Sequence, residues 1–241
     1  LSAEDELYEL TQRLDVVYFL EATSRIEPGP YDVALVEGSI TTPEDAQRIQ
    51  EVRQQSRYLV TIGACATAGG IQSLRNWADC REFMQAVYAR PEYIEVLKTS
   101  TAIADHVPVD FELRGCPINK EQLIEVLTSL LAGQRPRTPS HCVCLDCNRL
   151  GNVCLMSTQE RPCLAPVTQA GCGAICPSYD RGCYGCFGPA EQPNLVALTG
   201  QFQRIGHSRA EIVRGLQTFN AAAVEFRAES SRLTATPGES T

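Results

Sequence analysis

The sequence predicts an α/β fold in which a parallel-sheet domain over residues 1–138 precedes a mostly irregular, cysteine-rich domain over 139–227 with two C-terminal helices. Two observations indicate this organisation. In the first half, short apolar runs typical of buried strands alternate with helical patterns. In the second half, nine of the twelve cysteines fall within 142–189, where aliphatic side chains are few and no ordinary core is expected. We expect the polar residues 228–241 to be disordered.

The composition excludes several classes of function. The chain has 241 residues, 44% of them apolar, which is enough for one full domain and a smaller one. A formal net charge of −8 without any block of lysine or arginine argues against nucleic acid as a partner. No run of about eighteen apolar residues occurs, so we expect no membrane-spanning segment, and no export signal is visible at Leu1.

The first half is expected to begin with a helix and to contain four strands. Ser2 is the predicted N-cap of that helix, with Leu7 and Leu10 on its inward face. The strands are predicted at 15–20, 32–40, 57–66 and 110–117. Because strands alternate with helices, we expect a flavodoxin-like parallel sheet.

Helix signals lie between and after these strands. Thr42 is expected to cap a helix that has Pro43 in its first turn. A second helical region extends to about Val87. Asn119 caps the last helix of this half, which Gly133 closes.

Two cysteines follow neighbouring strands of the predicted sheet. Cys65 ends the third strand and Cys116 ends the fourth, each beside glycine or proline. Functional groups of such sheets gather beyond the carboxyl ends of the strands, so we expect both thiols on one rim as metal ligands. The alternative, that each is a buried small hydrophobe, stays open.

Two thiols make only half of a four-thiolate site. The chain opens at the predicted N-cap Ser2, as though the strand and loop before that helix were absent. We therefore expect either a segment before Leu1 that supplies two more ligands or an incomplete third site.

The second half contains two sets of four cysteines that differ in spacing. The first set, C-x2-C-x6-C-x8-C, comprises Cys144, Cys147, Cys154 and Cys163. The second set, C-x3-C-x6-C-x2-C, comprises Cys172, Cys176, Cys183 and Cys186. Four thiolates suit either zinc or an iron–sulfur cluster.

The spacing favours two 4Fe–4S clusters over zinc. Structural zinc sites normally pair two tight dyads across a longer gap, whereas these sets abut and have uneven gaps. Glycines beside Cys172, Cys183 and Cys186 allow backbone N–H groups to approach cluster sulfur. Disulfides suit small secreted chains better than a chain of this size.

Two amphipathic helices are expected after the cysteines. The first carries Leu195, Leu198 and Phe202 on one face. Ser208 and Glu211 form a capping box for the second, whose apolar positions continue to residue 226. These faces are expected to pack on the chain itself, and a docking face for a partner is the alternative.

At this point several motifs, in order, resemble a known family: the small, electron-transferring subunit of NiFe hydrogenases. The segments are V-E-G-S-I-T (36–41), G-A-C-A-T-A-G-G (63–70), R-G-C-P-I-N (114–119), C-L-A-P-V-T-Q-A-G-C-G-A-I-C-P (163–177) and C-Y-G-C-F-G-P (183–189). The version found here is similar to the cytosolic, multi-subunit group, which includes NADP-linked sulfhydrogenases and relatives linked to coenzyme F420 or heterodisulfide reductase.

The resemblance implies a role for each cysteine set. Cys65 and Cys116 match two ligands of a proximal cluster, whose other two come from an upstream C-x2-C in the family. The set from Cys172 to Cys186 matches the medial cluster, with Cys176 as a fourth ligand, and the set from Cys144 to Cys163 matches the distal cluster. Glu37 would lie beside the proximal rim, or else be a solvated strand-end carboxylate. His141 is a weaker ligand candidate, and Cys80 and Cys142 fit no set.

The resemblance implies a cytoplasmic electron relay. A large partner subunit would hold the Ni–Fe site, and a flavin- or iron–sulfur-containing partner linked to NAD(P) or another acceptor would exchange electrons at the far end. The cofactors would be two complete 4Fe–4S clusters and a proximal one that needs the upstream pair. The alternatives are a zinc-stapled interaction module and a relative of the respiratory complex I cluster subunit, which lacks the second cluster domain. A flavodoxin-type FMN site is disfavoured because no phosphate-binding loop opens a helix.

Overall fold

The computed structural model describes residues 14–235, and its centre is a parallel sheet. Three strands pair in the order β1 (Tyr31–Glu37), β2 (Ser56–Ile62) and β3 (Phe111–Leu113). The helix α1 (Pro43–Gln55) connects the first two. The predicted α/β class with a parallel sheet is therefore confirmed, while the helix expected at Ser2 lies outside the described residues.

The other helices run mostly through the second half. They are α2 (Gly63–Ala68), α3 (Cys80–Val87), α4 (Lys120–Leu131), α5 (Val143–Arg149), α6 (Leu155–Gln159), α7 (Ile175–Ser178), α8 (Leu195–Arg204), α9 (Arg209–Leu216) and α10 (Val224–Thr234). Short 3₁₀ helices occur at Ile71–Trp77, Pro91–Tyr93, Ile103–Asp105 and Ala165–Val167. Within the described residues, no helix combines the length and the apolar character needed to cross a bilayer.

Helix α1 begins where the sequence predicts. The hydroxyl of Thr42 accepts a hydrogen bond from the amide of Asp45, whose carboxylate accepts one from the Thr42 amide in return. Pro43 occupies the first turn, where its missing N–H costs nothing. Asn119 caps α4 by accepting from the amide of Gln122, also as predicted.

The sheet is covered on both faces. Leu59 and Val60 are adjacent on β2 and therefore point to opposite sides. Leu59 packs in an apolar cluster with Ile49 of α1, and Val60 packs with Val126 of α4. The carboxyl ends of the strands, at Glu37, Ile62 and Leu113, form one rim of the sheet.

The strands end earlier than predicted. β2 stops at Ile62 instead of residue 66 because Gly63 adopts φ +86° and the chain then turns into α2. β3 stops at Leu113 because Gly115, at φ +136°, leaves the extended conformation. Cys65 and Cys116 consequently lie in the turns beyond the strands and not at their last residues.

The strand predicted at 15–20 is wrong. This run forms one isolated bridge, between Tyr18 and Ile26, and Phe19 and Leu20 are 49% and 56% exposed. An apolar run becomes a strand only where a neighbour completes its hydrogen bonds. Among the described strands, β1 pairs with β2 alone.

The C-terminal region contains three helices where two were expected. α9 ends at Leu216, and a new helix, α10, begins at Val224 and continues to Thr234. Residues 228–234, expected to be disordered, are therefore helical. The reason is burial, because Phe226 and Leu233 are 1% and 5% exposed in the same apolar cluster as α8 and α9.

The cysteine-rich segment also contributes to a core, which corrects the expectation that it has none. Val143, Leu164 and Val167 are buried against Phe202 and Phe226 of the C-terminal helices. The aliphatic side chains of this segment are few, but the helices that follow supply the surface that buries them. Cys147, Cys163 and Cys183 are themselves buried members of this apolar cluster, and Cys144 and Cys172 pack against it.

Candidate metal centres

Four thiols of the second half surround one small cavity. Cys144 and Cys147 lie three residues apart on α5 and therefore on one face of that helix. Cys154 is the N-cap of α6, and Cys163 follows that helix. All four line a cavity of about 30 Å³ together with apolar side chains. They are the four residues that the sequence groups by spacing.

The pKa shifts within this set indicate that its thiols lie close together. Burial and the neighbouring thiols raise the pKa of Cys144 to about 11. Burial also raises the pKa of Cys163, although the Cys183 amide donates to its sulfur at 3.2 Å. Cys154 differs, because the hydroxyl and amide of Ser157 donate to its thiol and lower its pKa. Several thiolates in so small a space need a compensating cation, which fits a metal centre.

The second set is gathered beside the first. Burial, followed by the thiols of Cys172 and Cys176, raises the pKa of Cys186 to about 11. Burial raises the pKa of Cys183 to about 12, opposed by the amide of Gly185, which donates to its sulfur at 3.5 Å. Burial and Cys172 raise the pKa of Cys176 as well. Cys186 thus lies near Cys172 and Cys176, and Cys183 lies near Cys186, while their role as ligands of one centre stays a prediction.

The rim brings together residues that are far apart in sequence. Burial, then Cys65, then Glu37 raise the pKa of Cys116, so these three groups lie at one edge of the sheet. The Ala64 amide donates to the carbonyl of Gly115 at 2.9 Å and joins the two turns. The expectation of two thiols on one rim matches this arrangement, and their role as ligands stays a prediction.

The rim adjoins the second cysteine set. The backbone amide of Cys116 donates to the thiol of Cys186, an interaction that lowers the pKa of Cys186 against the effect of burial. Cys163 in turn accepts from the amide of Cys183, so the two sets of the second half also touch. Rim, second set and first set thus form a continuous series.

Several residues near the thiols make contacts that the sequence analysis did not predict. His141 directs Nε2 to Asp146 Oδ1 at 2.8 Å, and the amide of Ala170 binds its carbonyl. Cys142 lies close enough to Cys144 to raise its pKa, although spacing placed it in no set. The Cys65 thiol donates to Gln72 Oε1 at 3.3 Å, a contact that no motif indicated.

The assignment of the thiols to metal sites stays a prediction. Within residues 14–235, no three His, Cys, Asp or Glu side chains converge closely enough to bind one metal ion. Four thiolates suit either a zinc ion or an iron–sulfur cluster, so the donor set alone leaves both open.

Comparisons with known proteins place the chain among redox proteins. Residues 1–130 match the family described as NADH ubiquinone oxidoreductase, 20 Kd subunit. Sulfhydrogenase 2 subunit delta of Pyrococcus furiosus is 35% identical over 215 residues, covering 89% of this chain and 90% of the relative. A component of the F420-non-reducing hydrogenase vhu of Methanocaldococcus jannaschii is 30% identical over 227 residues, covering 80% of this chain and 77% of the relative. A chain in the crystal structure of an NAD+-reducing NiFe-hydrogenase in the H2-reduced state superimposes with a TM-score of 0.52 at 27% identity, covering 57% of this chain and 85% of that one.

Proposed function

From the premise that the chain belongs to the NADH ubiquinone oxidoreductase 20 kDa subunit family, and within it to the small subunits of multi-subunit NiFe hydrogenases, we propose a specific cluster inventory for it. The chain is an electron-transfer subunit of a hydrogenase, an oxidoreductase acting on H2, and the zinc-stapled module is disfavoured. It carries iron–sulfur clusters. Our proposal is that it holds two complete 4Fe–4S sites and half of a third.

The ligand sets of the proposal follow the three groups of thiols. The distal site comprises Cys144, Cys147, Cys154 and Cys163, and the medial site comprises Cys172, Cys176, Cys183 and Cys186. Cys65 and Cys116 are two ligands of the proximal site. The observation that carries the proposal is the cavity walled by all four thiols of the distal set.

The surrounding residues would tune these sites. Bound iron–sulfur clusters supply one-electron transfer. The amides of Gly185, Cys183 and Cys116 donate to ligand sulfurs and so favour additional negative charge on them. Apolar neighbours such as Leu155 and Leu164 keep water away and lower the local dielectric.

The hydrogenase relatives imply a large partner subunit, and the resemblance to NiFe hydrogenase small subunits assigns the Ni–Fe centre to that partner. We assign that subunit to the rim of Cys65, Cys116 and Glu37, since this rim begins the series of thiols. A flavin- or iron–sulfur-containing subunit would exchange electrons at the other end of the series, in the cytoplasm.

The ligand assignment is tested by replacing one buried thiol of the distal set. In the anaerobically purified complex, Cys147→Ala is expected to remove about four iron and four sulfide per chain together with one electron paramagnetic resonance signal. Cys80→Ala is the matched control, because Cys80 fits neither set of four nor the rim pair, and it should retain the wild-type iron content. Unchanged iron in Cys147→Ala, or zinc in the wild-type protein, would refute the assignment.

A further inference from the structure

A groove of about 670 Å³ opens on the C-terminal half of the molecule. One side consists of the segments 161–164 and 179–184, and the other consists of the end of α8 together with α9. Cys183 lies in its wall, so the groove reaches the proposed medial site. Apart from Cys183 and Leu164, the lining residues have no part in the ligand sets or their tuning described above.

The walls of the groove are held in place by contacts of their own. Arg161 Nη1 donates to the carbonyl of Asp180 at 3.0 Å. Gly182 lies so close to Pro162 that an added Cβ would come within 2.0 Å of the proline carbonyl oxygen. On the opposite side, His207 Nε2 contacts the Glu160 carbonyl at 3.1 Å. The shape is therefore formed before any partner arrives.

The groove carries an excess of positive charge although the chain as a whole is acidic, at −8. Arg161, Arg181 and Arg214 line it and are exposed, and among the described ion pairs none involves these three arginines. Two carboxylates, those of Asp180 and Glu211, also line the groove, and Glu211 accepts from the amide and hydroxyl of Ser208 at 2.8 and 2.7 Å. Three guanidinium groups against two carboxylates leave a net positive charge, which favours an anionic occupant.

Two tyrosines add the apolar component of a binding surface. Tyr179 and Tyr184 line the groove and are 74% and 47% exposed. Tyrosine and arginine are the residue types that most often dominate binding energy at protein interfaces. The volume suits a short extended segment of a few residues.

We infer that this groove docks an acidic, extended segment of the subunit that accepts electrons from this chain. The inference rests on the proposed electron-transfer function and adds a partner surface to it. The large subunit is assigned to the rim, whereas the segment 161–164 that walls the groove contains Cys163 of the distal set, the end of the series assigned to the acceptor. Complementary charge would steer association and make it sensitive to salt.

The test compares two arginines in equivalent positions. Arg214 and Arg204 are exposed residues in the last turns of the neighbouring helices α9 and α8, but only Arg214 lines the groove. The complete complex is purified anaerobically through a tag on the large subunit, and the flavin-containing subunit that co-purifies is quantified at low and moderate salt. We expect Arg214→Glu to weaken its retention at least tenfold and to flatten the salt dependence. Arg214→Gln should be intermediate, and Arg204→Glu should stay within twofold of wild type.

Iron content is measured on every variant, so lost docking is separated from lost folding. Equal retention in Arg214→Glu and Arg204→Glu would overturn the groove assignment. Loss of the large subunit in place of the flavin-containing subunit would overturn it as well. A wild-type complex that lacks iron or cannot reduce a viologen dye with H2 would instead refute the electron-transfer function, and the groove assignment with it.

Discussion

Gly70 lies directly against the thiol of Cys65 on the sheet rim. Its φ is +61°, and a Cβ added there would come within 2.4 Å of the Cys65 sulfur and 2.8 Å of the Cys65 Cα. Only glycine tolerates both the positive φ and the close approach to Cys65, because any side chain must displace either the thiol or the turn that positions it. The position of one proposed proximal ligand therefore depends on a residue five positions later.

Gly70→Ala should consequently disturb the proximal site. Gly133→Ala is its control, because Gly133 has a similar φ of +67° with nothing within 4 Å of an added Cβ. Each replacement costs about 1–3 kcal/mol of backbone strain, but only Gly70→Ala is expected to reduce the iron bound at the rim. The iron content of the complex is measured by metal analysis, and the proximal cluster is followed by electron paramagnetic resonance. Equal iron in the two variants would show that Cys65 is not a ligand.

At the residue scale, the spacing of the cysteines predicted the contacts that depend on local backbone geometry alone. Cys144 and Cys147 share a face because residues three apart on a helix are neighbours. The contacts of Ser157 with Cys154 and of Cys116 with Cys186 were missed for different reasons. Ser157 was within local reach, at the third position after a helix N-cap, whereas Cys116 and Cys186 meet only because the two halves of the chain pack together.

At the scale of elements, the capped helix starts were predictable, whereas the short helices of the cysteine-rich segment and the last helix, α10, were not. The capping boxes at Thr42 and Ser208 form as the sequence indicates, because each involves residues only three apart. Helix α10 has no side-chain cap, and its stability comes from packing against α8 and α9. A polar segment with a weak helical pattern is predicted to be disordered, because most of the stability of such a helix comes from packing that the sequence does not show.

One buried carboxylate fixes α10 to α8. Glu229 is 4% exposed and accepts hydrogen bonds from Arg232 at 2.6 and 2.7 Å and from the Thr199 hydroxyl. Burial opposes its charge, but the hydrogen bonds from Arg232 and Thr199 outweigh burial, so the pKa of Glu229 is lowered. This stabilisation is complete above the ordinary pKa of 4.5 and is lost as the pH falls through the lowered folded value.

Glu229→Gln is therefore expected to loosen α10 at neutral pH. Loss of the charged partner in a buried site costs about 1–3 kcal/mol, and amide hydrogen exchange across α10 should accelerate by about tenfold or more. Glu225→Gln, an exposed change on the same helix, should leave exchange unaltered. If both variants exchange alike, the contact with Thr199 does not secure the helix.

At the scale of the whole molecule, the two halves meet at a joint beside the rim. Arg114, just after β3, donates to the carbonyl of Pro189 at 3.0 Å and pairs with Glu112. Phe187 packs so closely on Gly115 that an added Cβ would come within 2.9 Å of its ring. The sequence predicted two domains with a boundary near residue 138 but offered no sign of this joint, because its residues lie about seventy positions apart.

The joint and the domain boundary are tested together by limited proteolysis. Residues 132–141 connect the halves without helix or strand, and trypsin can cut after Arg137. Arg114→Ala removes the hydrogen bond to Pro189, so the halves should separate more often and cleavage at Arg137 should accelerate several-fold. The series from Cys116 to Cys186 crosses the same joint, and H2-dependent dye reduction should slow while iron content is kept.

The control for this change is Arg53→Ala. Arg53 also bonds a proline carbonyl, that of Pro108, and pairs with a carboxylate, that of Asp110, but all three residues lie within the sheet half. Its loss should lower the unfolding temperature without exposing Arg137 selectively, because the contacts to Pro189 and Phe187 remain. Faster cleavage in both variants would mean that the linker responds to general destabilisation, and that the two halves open independently of Arg114.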